Sequence, residues 1–362
     1  MMTCRLCILT LTLAASLPAQ QPTAAADVRR LLGGLADDSM QGRATGTPGA
    51  QRAARMIAAE MRKIGLEPLG DSGYFQRVPV SLDSSRVPAR RRVRDPRDST
   101  RSTFVVDSSA PPQLRVGLRL RASFADLDTV PAGRRRAAVN VVGVIRGSDP
   151  ALRSEHVLID AHYDHLGVHA PGVNGDSIYN GADDDASGVT AVLEVARHLS
   201  QGPKPKRTVV FAATIGEEVG LLGTNWYVAH PPLPLDQMVA NLEIEMIGRP
   251  DSLAGGPGRA WLTGYERSTM GDVLAAGGIP IVPDKRPGQH FFERSDNIAF
   301  ARRGIVAHTL STFNLHSDYH QPSDDLGKVD FVHMAAVINA AAKAARVLAD
   351  GAKPEWKAGG RP

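Results

Sequence analysis

Five short clusters of histidine and carboxylate residues carry the chemistry open to this chain. They are His162-Tyr-Asp-His165, Asn180-Gly-Ala-Asp-Asp-Asp-Ala-Ser-Gly188, Thr214-Ile-Gly-Glu-Glu-Val-Gly220, Asn241-Leu-Glu-Ile-Glu-Met-Ile-Gly248 and His316-Ser-Asp-Tyr-His-Gln-Pro-Ser-Asp-Asp325. A metal-ligating histidine usually gives its second ring nitrogen to a carboxylate, which fixes its tautomer and orientation, so His162-x-Asp164 reads as a ligand with its orienting partner. Asp183, Asp184 and Asp185 crowd three charges into one glycine-bounded turn, costly without cations, although aspartate is also an ordinary helix cap. The adjacent Glu217 and Glu218 can face different partners, one a metal and one a water. Glu243 and Glu245 alternate onto one face of an apolar run, where a buried carboxylate is expensive unless paired or metal-bound. The last cluster, a polar histidine-rich loop, offers a further ligand. Taken singly, each cluster also has an ordinary solvated or packing explanation.

Their shared position argues for a site. Apolar runs at 139–145, 157–161, 208–213, 239–247 and 305–310 read as strands, and alanine-rich periodic stretches at 187–199, 221–230, 269–276 and 331–348 read as helices. Alternating strands and helices predict an α/β domain whose sheet is covered on both faces. Each cluster then falls at or just beyond the C-terminal end of a strand, where open α/β sheets place their ligand sites. The combined donors are imidazoles and carboxylates without a thiol, a set suited to borderline or hard divalent metals and above all to zinc pairs. A bridging carboxylate can hold two such ions about 3.5–4 Å apart.

The rest of the chain bounds the reading. Arg5 followed by an apolar run at 6–17 and small residues ending at Ala19 predicts a secretory signal peptide over residues 1–20, hence export to the periplasm or medium. No other stretch approaches the length of a permanent membrane anchor. Both cysteines, Cys4 and Cys7, lie in that leader, which excludes thiol catalysis and cysteine-ligated zinc from the mature protein. Residues 21–80 should hold two helices, one through Val28 and one from Pro48 to Ile64, and a first strand, with Gly42-Arg-Ala-Thr-Gly46 as the helix connection. Residues 81–137 break the pattern and read as an Arg-rich insertion with a hairpin made of 102–106 and 114–120. Residues 86–136 hold 13 Arg against 5 Asp, a +8 that exceeds the +4 of the whole chain. A basic segment confined to one insertion, with few aromatics, makes a solvated surface or an envelope contact rather than a nucleic-acid site. Residues 138–350 form the catalytic part, and the Gly-rich 351–362 should be a disordered tail.

The motifs, in this order, resemble those of the co-catalytic zinc aminopeptidases of the bacterial leucyl aminopeptidase type, over residues 27–80 and 139–348. That superfamily also contains glutamate carboxypeptidases, transferrin receptors and glutaminyl cyclases. The resemblance implies a zinc-exopeptidase-like α/β fold with a mixed, mostly parallel central sheet, and two Zn2+ ions per chain. It implies that His162 and Glu245 bind one zinc, that Glu218 and His320 bind the other, and that Asp184 bridges both. Glu217 becomes the general base, Asp164 orients His162, and the Asp184–Asp185 peptide is cis. The implied reaction is removal of N-terminal residues from peptides with a free amino end. Rival readings are a carboxypeptidase on the same scaffold, a one-zinc glutaminyl cyclase and a non-catalytic binding protein. The chain departs from many relatives at Glu245, where they carry Asp, and at Ser295-Asp-Asn297, where several read Ser-Asp-His. Glu243 is a weaker candidate ligand, and Phe291 and Phe292 are candidates for the substrate pocket or the core.

Overall fold

A computed structural model describes residues 22–95, 98–170 and 175–362. The expected leader lies outside the described residues. Helix α1 (Ala25–Leu35) buries Val28, Leu31, Leu32 and Leu35 at helical spacing. Helix α2 (Pro48–Ile64) has the predicted bounds for legible reasons. The Thr47 side chain accepts from the Ala50 amide, Pro48 opens the first turn, and Gly65 at φ 88° ends the helix.

The remaining elements follow in chain order: β1 (Glu67–Pro68), β2 (Phe75–Val87), β3 (Arg90–Asp95), β4 (Asp98–Val106), β5 (Gln113–Leu120), α3 (Phe124–Thr129) and β6 (Arg135–Ile145). Next come β7 (His156–His162), β8 (Gly167–Val168), β9 (Ile178–Tyr179), α4 (Gly188–Gln201), β10 (Thr208–Thr214), α5 (Leu222–Ala229) and β11 (Met238–Glu245). The chain closes with β12 (Ala260–Leu262), α6 (Met270–Ala276), β13 (Ile281–Pro283), α7 (Asn297–Ala301), β14 (Ala307–Ser311) and α8 (Phe331–Asp350).

Among the described residues ten strands form one sheet, ordered β13-β12-β14-β11-β7-β10-β6-β2-β5 with β1 beside β6. Its centre, β14-β11-β7-β10, is parallel, and β6, β2 and β5 continue it antiparallel. The parallel strands β7 and β10 are buried at every position, which is why they read as apolar runs rather than alternations. Val157, Ile159 and Ala161 of β7 pack with α1, α2, α4 and α8. On the other face Leu158, Val210 and Ala212 meet Tyr227 of α5 and Phe300 of α7. This is the expected α/β fold with a mixed sheet covered on both faces. Helix α8 has the length and apolarity to cross a membrane, yet it buries Met334, Val337, Ile338, Ala341 and Leu348 in the core.

Two expectations change. The supposed insertion begins inside the main sheet, because β2 runs on to Val87 and pairs with both β6 and β5. Its two alternating segments do not pair with each other. Residues 114–120 join β2, while 102–106 lie in β4 and pair with β3. Alternation marks a strand but does not name its partner. The tail expected to be disordered is docked. Trp356 Nε1 donates to the Gly304 carbonyl at 2.9 Å and its ring lies against those of His308 and Phe292. One aromatic anchor outweighs the Gly-rich composition around it.

Candidate active site and metal centre

Parallel strands deliver their C-terminal ends to one edge, and the donors converge there. His162 closes β7, Glu245 closes β11, and Glu217 and Glu218 follow β10. Asp184 comes from the turn of residues 182–187 ahead of α4, and the Asp184–Asp185 peptide is cis as the resemblance implies. The start of α4 lies directly on β11: a Cβ at Gly188 would stand 2.0 Å from the Ile244 carbonyl oxygen, so only glycine lets the acidic turn sit this deep.

Two donor groups form around one shared carboxylate. His162, Asp184 and Glu245 place one ligand atom each within 4.8 Å of one another, and so do His165, Asp184, Glu218 and His320. His162 Nε2 is 3.3 Å from Asp184 Oδ1 and 3.9 Å from Glu245 Oε1. His320 Nε2 is 3.1 Å from Asp184 Oδ2 and 3.3 Å from Glu218 Oε2. The structure therefore brings together all five residues expected to bind metal: His162, Asp184, Glu218, Glu245 and His320. His165 joins them, with Nδ1 2.8 Å from Glu218 Oε1. Its place in the His162-Tyr-Asp-His165 motif was the available signal, but three residues past a strand the side-chain direction cannot be read from alternation.

The donors fit a divalent cation. The buried Nε2 of His162 has no hydrogen-bond partner and faces Asp184, while His165 turns its Nδ1 to Glu218 and Asp184, so both rings present a nitrogen to the acidic centre. Burial pushes the carboxyls of Glu217 and Glu245 well above their usual range, and neighbouring carboxylates add to it. Burial also opposes ionisation of Asp184, but the imidazoles of His162, His165 and His320 hold it well below the carboxylate range. His320, despite partial burial, is drawn up to about 10 by Asp184 and Glu218. Glu217, Glu245 and His320 sit among crowded, buried carboxylates, and the imidazoles that stabilise the Asp184 carboxylate do what a bound cation would do there.

The other carboxylates hold backbone. Asp164 was expected to orient His162 with its side chain, but Nδ1 of His162 faces the Asp164 carbonyl at 3.1 Å and the carboxylate at 3.8 Å. The Asp164 carboxylate instead accepts from the amides of Gly216 and Glu217 and from Thr45 Oγ1. It thus ties the loop of Gly216 and Glu217 to the histidine segment. Asp185 accepts from the Gly188 and Met246 amides, Asp183 from the Gly248 amide, and Asp324 from the Asp183 and Asp184 amides. Glu243 is not a donor to the metal groups, since Ser295 Oγ, Thr309 Oγ1 and the amides of Asp296 and Asn297 occupy its carboxylate.

Sequence reasoning missed Arg43. Its guanidinium is fully buried and donates to the carbonyls of Leu35, Tyr163, Asn180 and Gly181. One side chain thereby fastens the end of α1 to both the histidine loop and the acidic turn. The pocket beside the donors is lined by Glu217, Glu245, Trp261, Phe291, Arg294 and Tyr319 among others. Phe291 faces it, whereas Phe292 packs in the core beneath.

Comparison with known proteins places this geometry. The description "Peptidase family M28" matches residues 140–345, more than half of the chain. A "Probable zinc metalloprotease" of Pyrenophora tritici-repentis is 29% identical over 195 residues, 52% of this chain and 44% of the relative. The uncharacterized protein YfbL of Escherichia coli is 28% identical over 216 residues, 51% of this chain and 64% of that protein. The chain thus spans less than two thirds of the length of these relatives. The fold is shared with an aminopeptidase from Aneurinibacillus sp. strain AM-1, at TM-score 0.60 and 15% identity over 91% of this chain and 95% of the other. It is shared likewise with BSAP, a zinc aminopeptidase from Bacillus subtilis, at TM-score 0.58 and 15% identity over 89% and 94%. The chain belongs to peptidase family M28.

Proposed function

We propose that the protein is an aminopeptidase that holds two zinc ions, bridged by Asp184, and uses Glu217 as general base. The observation that carries this reading is the pair of donor groups sharing Asp184, with Glu217 in the adjoining pocket and in neither group. His162 and Glu245 would hold one ion, and Glu218 and His320 the other, with His165 beside them. Bound zinc lowers the pKa of water to near 7 and polarises a carbonyl oxygen.

The chain's own residues do the rest. Glu217 takes the proton of the attacking water and returns it to the leaving nitrogen, as its position and raised proton affinity suit. Asp164 fixes the Gly216 and Glu217 amides, so the base is aimed by the strand that carries His162. The aromatic wall of Trp261, Phe291 and Tyr319 excludes water from one side of the reacting end. The charged, apolar and small-residue pattern of residues 1–20 supports export by a cleaved leader, and peptides bearing a free amino end are the substrates of this reading.

A substrate panel tests the direction of attack. Aminoacyl amides with a free amine should be cleaved and N-acetylated peptides left intact. Cleavage of only the blocked peptides would instead make the protein a carboxypeptidase.

A further inference from the structure

The pocket carries one group that the hydrolysis above does not use. Arg294 follows the turn Phe291–Glu293 and, among the described residues, is the only Lys or Arg lining the pocket. Its guanidinium carbon stands 5.0 Å from the centroid of the Phe291 ring, and Phe291 is stacked in turn on Trp261, with centroids 5.1 Å apart and planes at 27°. The backbone on the other side is fixed as well, because Ser295, Asp296 and Asn297 all donate to the buried Glu243 carboxylate.

The neighbouring arginines are paired. Arg286, in the same loop, donates twice to Asp251, and Arg249 is held by Asp318 and Asp324. Among the described residues Arg294 has no carboxylate partner. A guanidinium lying against an aromatic ring keeps its in-plane N–H groups available, and these match a carboxylate in a bidentate fork. It lies against the aromatic wall and lines the same pocket as Glu217 and Glu245, so it is placed to read a negative charge near the reacting end.

We propose that Arg294 binds a carboxylate of the substrate, which makes the enzyme favour peptides that present one within a residue of the scissile bond. Two sources share that chemistry: the C-terminal carboxylate of a dipeptide and an acidic first side chain. The inference rests on the exopeptidase reading above for where the substrate lies, but its test does not need turnover.

Binding is measured by calorimetry on the zinc-loaded E217Q protein with four probes: leucyl-leucine, its C-terminal amide, glutamyl-leucine amide and glutaminyl-leucine amide. One carboxylate-bearing probe should bind about tenfold or more tightly than its neutral partner. The first pair identifies the C-terminus as the source, and the second the side chain. Adding R294M should abolish the difference and R294K should keep part of it. Arg294 is exposed, so neither change removes a core group. Pairs that differ by less than about twofold, or a difference that survives R294M, would overturn the proposal. Failure of the exopeptidase reading appears separately, as a wild-type enzyme that hydrolyses none of the four probes.

Discussion

The two donor groups that meet at Asp184 are built by different means. His162 and Glu245 are the last residues of adjacent strands, and the register that sets Asp160 opposite Glu243 also brings these two side by side. His165, Glu218 and His320 all lie beyond strand ends, His320 in a loop and at φ 55°. Exposure does not sort by construction: the strand-end His162 and Glu245 side chains are at 0% and 23%, and the loop-borne His165, Glu218 and His320 at 0%, 7% and 34%. A strand end aims a ligand through the ladder itself. A loop ligand has to be aimed by added ties, and here Asp164, Asp324 and Arg43 supply them.

The largest effect should come from the residue common to both groups. Asp184→Ala should lose both metals and with them essentially all turnover, read as zinc per chain by atomic absorption. Normal stoichiometry in that variant would break the shared-carboxylate account. A smaller effect separates the groups. On the two-ion reading proposed above, His320→Ala should retain one zinc where the wild type should hold two, and a chelator titration of the wild type should release the ion of the loop-borne group first. Simultaneous loss of both would mean that strand and loop construction makes no difference to affinity.

The smallest effect concerns the ties. Arg43→Met removes one buried donor from each of four carbonyls and a cation that interacts with Asp184, Asp164 and Asp185. It should cost about 3 kcal/mol in denaturant unfolding and weaken zinc binding about 10–100-fold. An unchanged zinc affinity would reduce Arg43 to a purely structural residue.

The same contrast explains what could be read in the chain beforehand. The parallel strands are legible as apolar runs, which puts the donor clusters at their ends, while the choice of His162 and Glu245 as ligands follows from the family resemblance. His320 and Glu218 were placed by family resemblance, and His165 was passed over, because nothing in a loop's spacing says where its side chains point. Arg43 leaves no pattern at all: its role comes from four carbonyls, three of them, at Tyr163, Asn180 and Gly181, distant in sequence. The supposed insertion was misread for a related reason. Alternation at 114–120 was correct, but its pairing with β2 rather than with 102–106 is a long-range choice.

The division of labour between metal ligands and base is the central claim, and Glu217→Gln tests it most directly. With zinc content and peptide turnover measured on the same preparation, two zinc ions per chain should remain while kcat falls about 10²–10⁴-fold. Wild-type turnover in that variant, or loss of zinc along with activity, would contradict the account.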